Sequence, residues 1–342
     1  MKALTERELR EFFKSIEADY DVRLPIGLHD GTRALGKLGD GPLRLAGGAL
    51  PGKPTGVFFP QMQRILVETE GQIREPAPAD KPLLVVGYTA ADADCLEFVD
   101  RFFSTNYRDD VYFSRRDGAV IVCVSGQCGP DGEFLRIAGK GCDIELVSDG
   151  QRYIALTYSE VGKALVERAK GGVPVSEAEV SALRDESDGL NTDDSDLICA
   201  ASELIGQEKV PEDFWQMVGD RCIACTACNL ACPTCTCFDV FDRKAGDRTE
   251  RWRIWDSCQL DGFMREASGH NPMGQEWSRT RRRLHHKLAA DVTRWGHVTC
   301  FLCGRCDKVC PSNIGIKSVC REIVERYGAR PAAEPIASGA PA

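Results

Sequence analysis

No run of apolar residues in this 342-residue chain approaches the length, about 20 residues, that a helix needs to cross a bilayer. The opening stretch MKALTERELREFFKSIEADYDV lacks the apolar core of a secretory signal, and Arg115-Arg116 lies too far along the chain to act as a twin-arginine signal. Excess positive charge is missing as well: the net charge of −9 argues against a nucleic-acid partner. No G-x-G-x-x-G follows an apolar strand. The segment GGALPGKPT, residues 47–55, nearly forms a phosphate loop, but Pro54 stands where a Ser or Thr hydroxyl would reach magnesium, so no nucleotide is expected on this chain. The expectation is a cytoplasmic protein without direct membrane insertion.

Cysteine, by contrast, is plentiful. Seventeen are present, and eight of them form two near-identical runs: Cys222, Cys225, Cys228, Cys232 before Pro233, and Cys300, Cys303, Cys306, Cys310 before Pro311. In the spacing C-x2-C-x2-C-x3-C-P, three thiolates wrap one [4Fe-4S] cube and the fourth reaches a second cube. A structural zinc site closes with four ligands, usually as two separated pairs, and has no use for a third Cys at this spacing. Two [4Fe-4S] clusters are therefore expected. The pattern assigns Cys222, Cys225, Cys228 and Cys310 to one, and Cys300, Cys303, Cys306 and Cys232 to the other. The two clusters would then staple together the ends of the long insertion 238–299, and loss of iron should unfold that part of the chain.

The hydrophobic share of 43% and charged share of 28% are those of a globular chain of about two domains. Leu9, Phe12, Phe13 and Ile16 share one face of an N-terminal helix. From residue 24 onward, buried strands at 82–86 and 119–124 and shorter strands at 144–147 and 153–157 alternate with helices at 92–103 and 159–169, the mark of an α/β domain over residues 1–184. DESDGLNTDDSD, residues 185–196, reads as a solvated acidic linker. Helices at 197–205 and 211–218 lead into the first run, and the insertion carries helical patterns at 264–268 and 277–292. The fold class expected is α+β, with a helical ferredoxin-type domain at 197–328 and a disordered tail at 329–342.

The segments CIACTACNLACPTCTCFDV, WDSC, ASGHNP, RTRRRLHHK and CGRCDKVCP, in this order, resemble the β subunits of cytoplasmic sulfhydrogenases. Those are iron-sulfur subunits of NAD(P)-linked nickel-iron hydrogenases, related to the A subunit of anaerobic sulfite reductase. Weaker pieces of the pattern, PTGVFFPQ at 54–61 and LEFVDRFF before YFSRR at 112–116, lie in the N-terminal half. The resemblance implies a subunit without catalysis of its own, relaying single electrons between a flavin/NAD(P)-binding subunit and a hydrogenase small subunit or a sulfite/sulfur-reducing subunit. Ile223, Ala224, Ala227, Leu302, Gly304 and Val309 would then shield the cubes from water and offer backbone N–H groups to sulfur. The family's Arg-Pro-Cys-Asp turn reads Thr89-Ala90-Ala91-Asp92 here, so a cluster at that turn is expected to be lost.

Other residues allow more than one reading. Cys235, Cys237 and Cys258 are either buried structural thiols or a third metal or cluster site, which would make the chain a catalytic iron-sulfur protein with an open coordination position. Cys95, Cys123, Cys128 and Cys142 are candidates for an unusual site, and Cys320 for simple packing. Arg279, Arg281, Arg282, Arg283, His285, His286 and Lys287 read first as a solvated helix face, second as a docking surface for an acidic partner. His270 and Asn271 read as turn and capping residues.

Overall fold

The computed structural model of the protein describes residues 1–76 and 80–328. The tail expected to be disordered, 329–342, lies outside the described residues.

Continuous apolar runs build the central sheet. Leu83–Tyr88 is buried at every position, as is Ile144–Ser148, and Val120–Gln127 at all but its last residue. With Asp21–Gly27 they pair in parallel, and strands covered on both faces need apolar side chains on both. Alternation then divides the core: Leu84, Val86, Val122 and Val124 face one layer, while Leu83, Val85, Ile121 and Cys123 face the other. Antiparallel strands Lys2–Leu4, Tyr153–Thr157 and Val173–Pro174 extend one edge, and Arg33–Gly36 the other. The N-terminal helix Glu6–Ile16 buries Leu9, Phe12, Phe13 and Ile16 behind a capping box in which Thr5 and Glu8 satisfy each other's backbone N–H. The helix Ala90–Ser104 opens on a second box, Thr89 with Asp92.

The acidic stretch is largely exposed but mostly helical. Helices Glu177–Asp188 and Asp193–Gly206 take up most of it, with Asp193, Asp194 and Asp196 in the first turn of the second helix, where carboxylates complement the positive end of the helix dipole. The insertion is also less helical than its pattern suggests: Phe238–Ala245 and Arg248–Trp255 form a β-hairpin, reversed by a loop with Gly246 at φ +69°. The expected helix at 264–268 is a short 3-10 turn, Asp261–Met264, followed by loop, whereas 277–292 is helical. The hairpin pairs with Met62–Thr69, which pairs with Gln72–Arg74, so the two halves expected from the sequence share a four-stranded sheet. Trp255 Nε1 donates to Phe59 O at 2.9 Å and locks the hairpin base to the N-terminal half.

Around the cysteine runs, helices Asp193–Gly206, Glu212–Asp220, Glu276–His285 and Ile316–Tyr327 enclose a third core that includes Ile198, Trp215, Val218, Leu284, Leu288 and Val319. Gly219 makes one crossing feasible, because a Cβ there would sit 2.3 Å from the Cβ of Trp277.

Candidate metal centre

Both cysteine runs bend their backbones in the same way. Ala224 (φ +48°) and Thr226 (φ +63°) in the first match Leu302 (φ +57°) and Gly304 (φ +72°) in the second, position for position. Left-handed torsions at non-glycine residues cost energy and persist where the surroundings impose them. Each bend leads into a four-residue helix, Ala227–Leu230 or Arg305–Lys308, that carries the third cysteine. Backbone donors turn toward the thiols: Ala224 N lies 3.4 Å from Cys222 Sγ, Ile314 N 3.5 Å from Cys310 Sγ and Ile316 N 3.5 Å from Cys306 Sγ.

Two cavities result. The first is lined by Cys222, Cys225 and Cys228 together with Cys310 from the other run, and is closed by Gln259, Thr280 and Arg283. The second is lined by Cys300, Cys303 and Cys306 together with Cys232, and is closed by Cys95, Thr234 and Lys287. They differ in depth. Cys225 is exposed at the mouth of the first, beside Ile223 at 64% exposure, while Cys306 is buried in the second. Ile223 and Leu302, expected to keep water out, are instead surface residues.

Only part of the basic run is a solvated face. Arg279, Arg283 and Lys287, spaced i, i+4, i+8, point inward and are 8%, 4% and 5% exposed, while Arg281, Arg282, His285 and His286 lie outward. A π-helical turn, His286–Ala290, continues the helix at this point. Lys287 Nζ donates to Thr234 Oγ1 at 2.6 Å, and Arg283 donates to Ile314 O at 2.7 Å. Burial alone would drive the Lys287 ammonium toward neutrality, but Cys232, Cys235 and Cys300 outweigh it and raise its pKa. Arg283 is held charged against burial by Cys228 and Cys306 in the same way. Neither cation makes a salt bridge to a carboxylate among the described residues, although the buried Asp291 also favours charge on Lys287. Such burial costs several kcal/mol per ion unless counter-charge is supplied. The donor set in the cavities, four cysteines each, becomes that counter-charge once it is deprotonated, and it fits iron-sulfur cubes.

Burial pushes the Cys300 thiol up to about 11 and the Cys306 thiol up to about 12, so both must shed protons when they bind metal.

The additional cysteines resolve into pairs. Cys237 meets Cys258, whose thiol pKa their hydrogen bond lowers, and Cys235 turns to Cys232. Between them lies the buried Asn229, whose Nδ2 is 3.1 Å from Cys258 Sγ and whose Oδ1 is 3.8 Å from Cys235 Sγ. Among the described residues, no three Cys, His, Asp or Glu side chains crowd around a single-ion position; cube ligands spread over a wider shell. Of the N-terminal candidates, Cys123 pairs with Cys142, Cys95 faces Cys303, and Cys128 donates to Ser125 O at 3.2 Å, so they form no common site. Cys320 packs in the third core. Asn271 caps its turn, donating to Asp261 O at 2.7 Å and accepting from Met273 N at 3.0 Å.

Several neighbours of the cavities escaped sequence reasoning. Lys53, in the segment that nearly forms a phosphate loop, is buried with Nζ 3.1 Å from Cys235 O and 3.6 Å from the centre of the Trp255 ring; desolvation lowers its pKa to about 8. Arg305 forks onto Asp92 at 2.6 and 3.0 Å and donates to Leu50 O at 2.7 Å, tying the second cavity to the α/β half. The stripe at 279, 283 and 287, beside apolar Leu284 and Leu288, was the one available signal.

Fold and site together define an iron-sulfur protein of the dicluster kind: residues 221–314 match the family model described as 4Fe-4S dicluster domain. The chain is a homologue of the sulfhydrogenase 2 subunit beta of Pyrococcus furiosus, 26% identical to it over 285 residues, which cover 80% of this chain and 81% of that one. Among the described residues, no helix is long and apolar enough to cross a membrane.

Proposed function

We propose that this chain is the electron-transfer subunit of a cytoplasmic sulfhydrogenase-type complex, relaying single electrons between a flavin/NAD(P)-binding subunit and a hydrogenase or sulfite/sulfur-reducing subunit. The observation that carries the reading is the crossed lining of the two cavities, Cys310 in the first and Cys232 in the second. Two [4Fe-4S] cubes held by these eight cysteines would supply low-potential one-electron chemistry. The chain's own residues do the rest. Cys222, Cys225, Cys228 and Cys310 hold one cube, and Cys300, Cys303, Cys306 and Cys232 the other; Ala224, Ile314 and Ile316 direct backbone N–H groups at sulfur, and Arg283 and Lys287 offset the negative charge. Residues 197–328 act as the dicluster unit on the α/β scaffold of 1–184. The pairing of Cys237 with Cys258 and of Cys235 with Cys232 favours structural thiols over a substrate site.

Anaerobic purification followed by iron and acid-labile sulfide counting and electron paramagnetic resonance tests the reading. About eight irons and two reducible signals are expected. An additional cluster, or iron absent after reconstitution, would sink it.

A further inference from the structure

We infer that Arg283 is a shared potential-setting residue lying between the two cluster positions, and that Lys287 sets the potential of the second alone. The inference rests on the dicluster reading above and goes beyond it by assigning the electrostatic control of that relay to two side chains on one helix face.

Position carries the argument. Arg283 lines the first cavity, yet its guanidinium also faces Cys306, a wall of the second, and Cys228, a wall of the first. Lys287, one helical turn further on, lines only the second cavity, near Cys232 and Cys300. Both side chains are buried, so solvent screens them little, and Coulomb interaction in such surroundings is strong and falls with distance. Neither makes a salt bridge to a carboxylate among the described residues: Arg283 is anchored by Ile314 O and Lys287 by Thr234 Oγ1, both neutral acceptors, with the buried Asp291 adding to the negative surroundings of Lys287. Arg279 makes the contrast. It is equally buried on the same stripe, but its donors go to the carbonyls of Gln259, Met273 and Gly274, it lies 3.5 Å from Asp261, and it lines neither cavity.

Adding an electron to a thiolate-bound cluster makes it more negative. A fixed cation nearby stabilises the reduced state more than the oxidised one and raises the midpoint potential. Because Arg283 is near both positions, it raises both together, whereas Lys287 raises the second alone and so sets the step between them.

The test is a redox titration followed by electron paramagnetic resonance on the intact, iron-loaded chain, with iron counted in every sample. Arg283→Gln should lower both midpoints, each by at least a tenfold change in the oxidised-to-reduced ratio, about 59 mV for a one-electron couple. Lys287→Met should lower only the signal that Cys300→Ser abolishes. Arg279→Gln should move neither, and Arg283→Lys should keep both near the parent values. Unchanged midpoints in iron-replete Arg283→Gln, or an equal shift in Arg279→Gln, overturns the inference. If Arg283→Gln fails to hold iron, Lys287→Met decides: a shift of both signals or of neither overturns it. Failure of the dicluster reading looks different, as the parent chain itself would lack two reducible signals.

Discussion

Arg305 and Asp92, 213 positions apart in the chain, meet in a buried two-pronged ion pair with oxygens 2.6 and 3.0 Å from the guanidinium nitrogens. The arginine follows Cys303 by two residues, and the aspartate belongs to the capping box that starts the helix Ala90–Ser104. Cys95, one turn along that helix, faces Cys303. The α/β half therefore braces the second cavity directly.

Removing one partner of such a pair strands a buried charge. Asp92→Ala or Arg305→Met should each lower stability by about 3–5 kcal/mol, and the double variant Asp92→Leu/Arg305→Met should lose less than the sum. Denaturant unfolding of the iron-loaded proteins checks this, and additive losses would deny the coupling.

Crossed ligation has a spectroscopic signature. Cys232→Ala should abolish the same paramagnetic signal as Cys300→Ala, and Cys310→Ala the same signal as Cys222→Ala, each with loss of about half the iron. If Cys232→Ala instead matched Cys222→Ala, each run would serve its own cube.

Iron loading should depend on pH. Cys300 and Cys306, raised to about 11 and about 12, are protonated at neutral pH and must lose protons to iron. Reconstitution of the metal-free chain should accelerate from pH 6.5 to pH 8.5, with net proton release measurable in weak buffer. A rate that falls over this interval would show that thiol ionisation does not limit assembly.

The contact of Gly219 with Trp277 gives a packing test. Gly219→Ala pushes a methyl against the Cβ and backbone of Trp277 and should cost about 1–3 kcal/mol, and Trp277→Ala in the same chain, which keeps those atoms, should leave that strain in place. Calorimetry of the three variants separates overpacking from a simple change in helix propensity.

Much of the α/β half was legible because parallel strands buried on both faces must be written in apolar residues, as LLVV at 83–86 and VIVCV at 120–124 are. The grouping of cysteines by spacing was equally open to reading. The hairpin 238–255 was not: its first strand is exposed at nearly every position, and charged residues such as Asp239, Asp242, Arg243 and Arg251 hide the alternation of Trp252 and Ile254. Arg283 and Lys287 were obscured for another reason. A charge run normally faces water, and what reverses that here is negative charge from cysteines that only the folded chain brings near.

The four-stranded sheet carries a consequence for biogenesis. Its strand Met62–Thr69 leaves the ribosome long before Arg248–Trp255, the neighbour it needs, and the hairpin is followed by the second cysteine run. Until Arg248–Trp255 has been made, the nascent N-terminal half exposes an unpaired strand edge, a site for chaperones or misassociation. Closing that edge comes before the thiols of the second run are delivered, so the crossed cavities are completed on a scaffold whose sheet can already close.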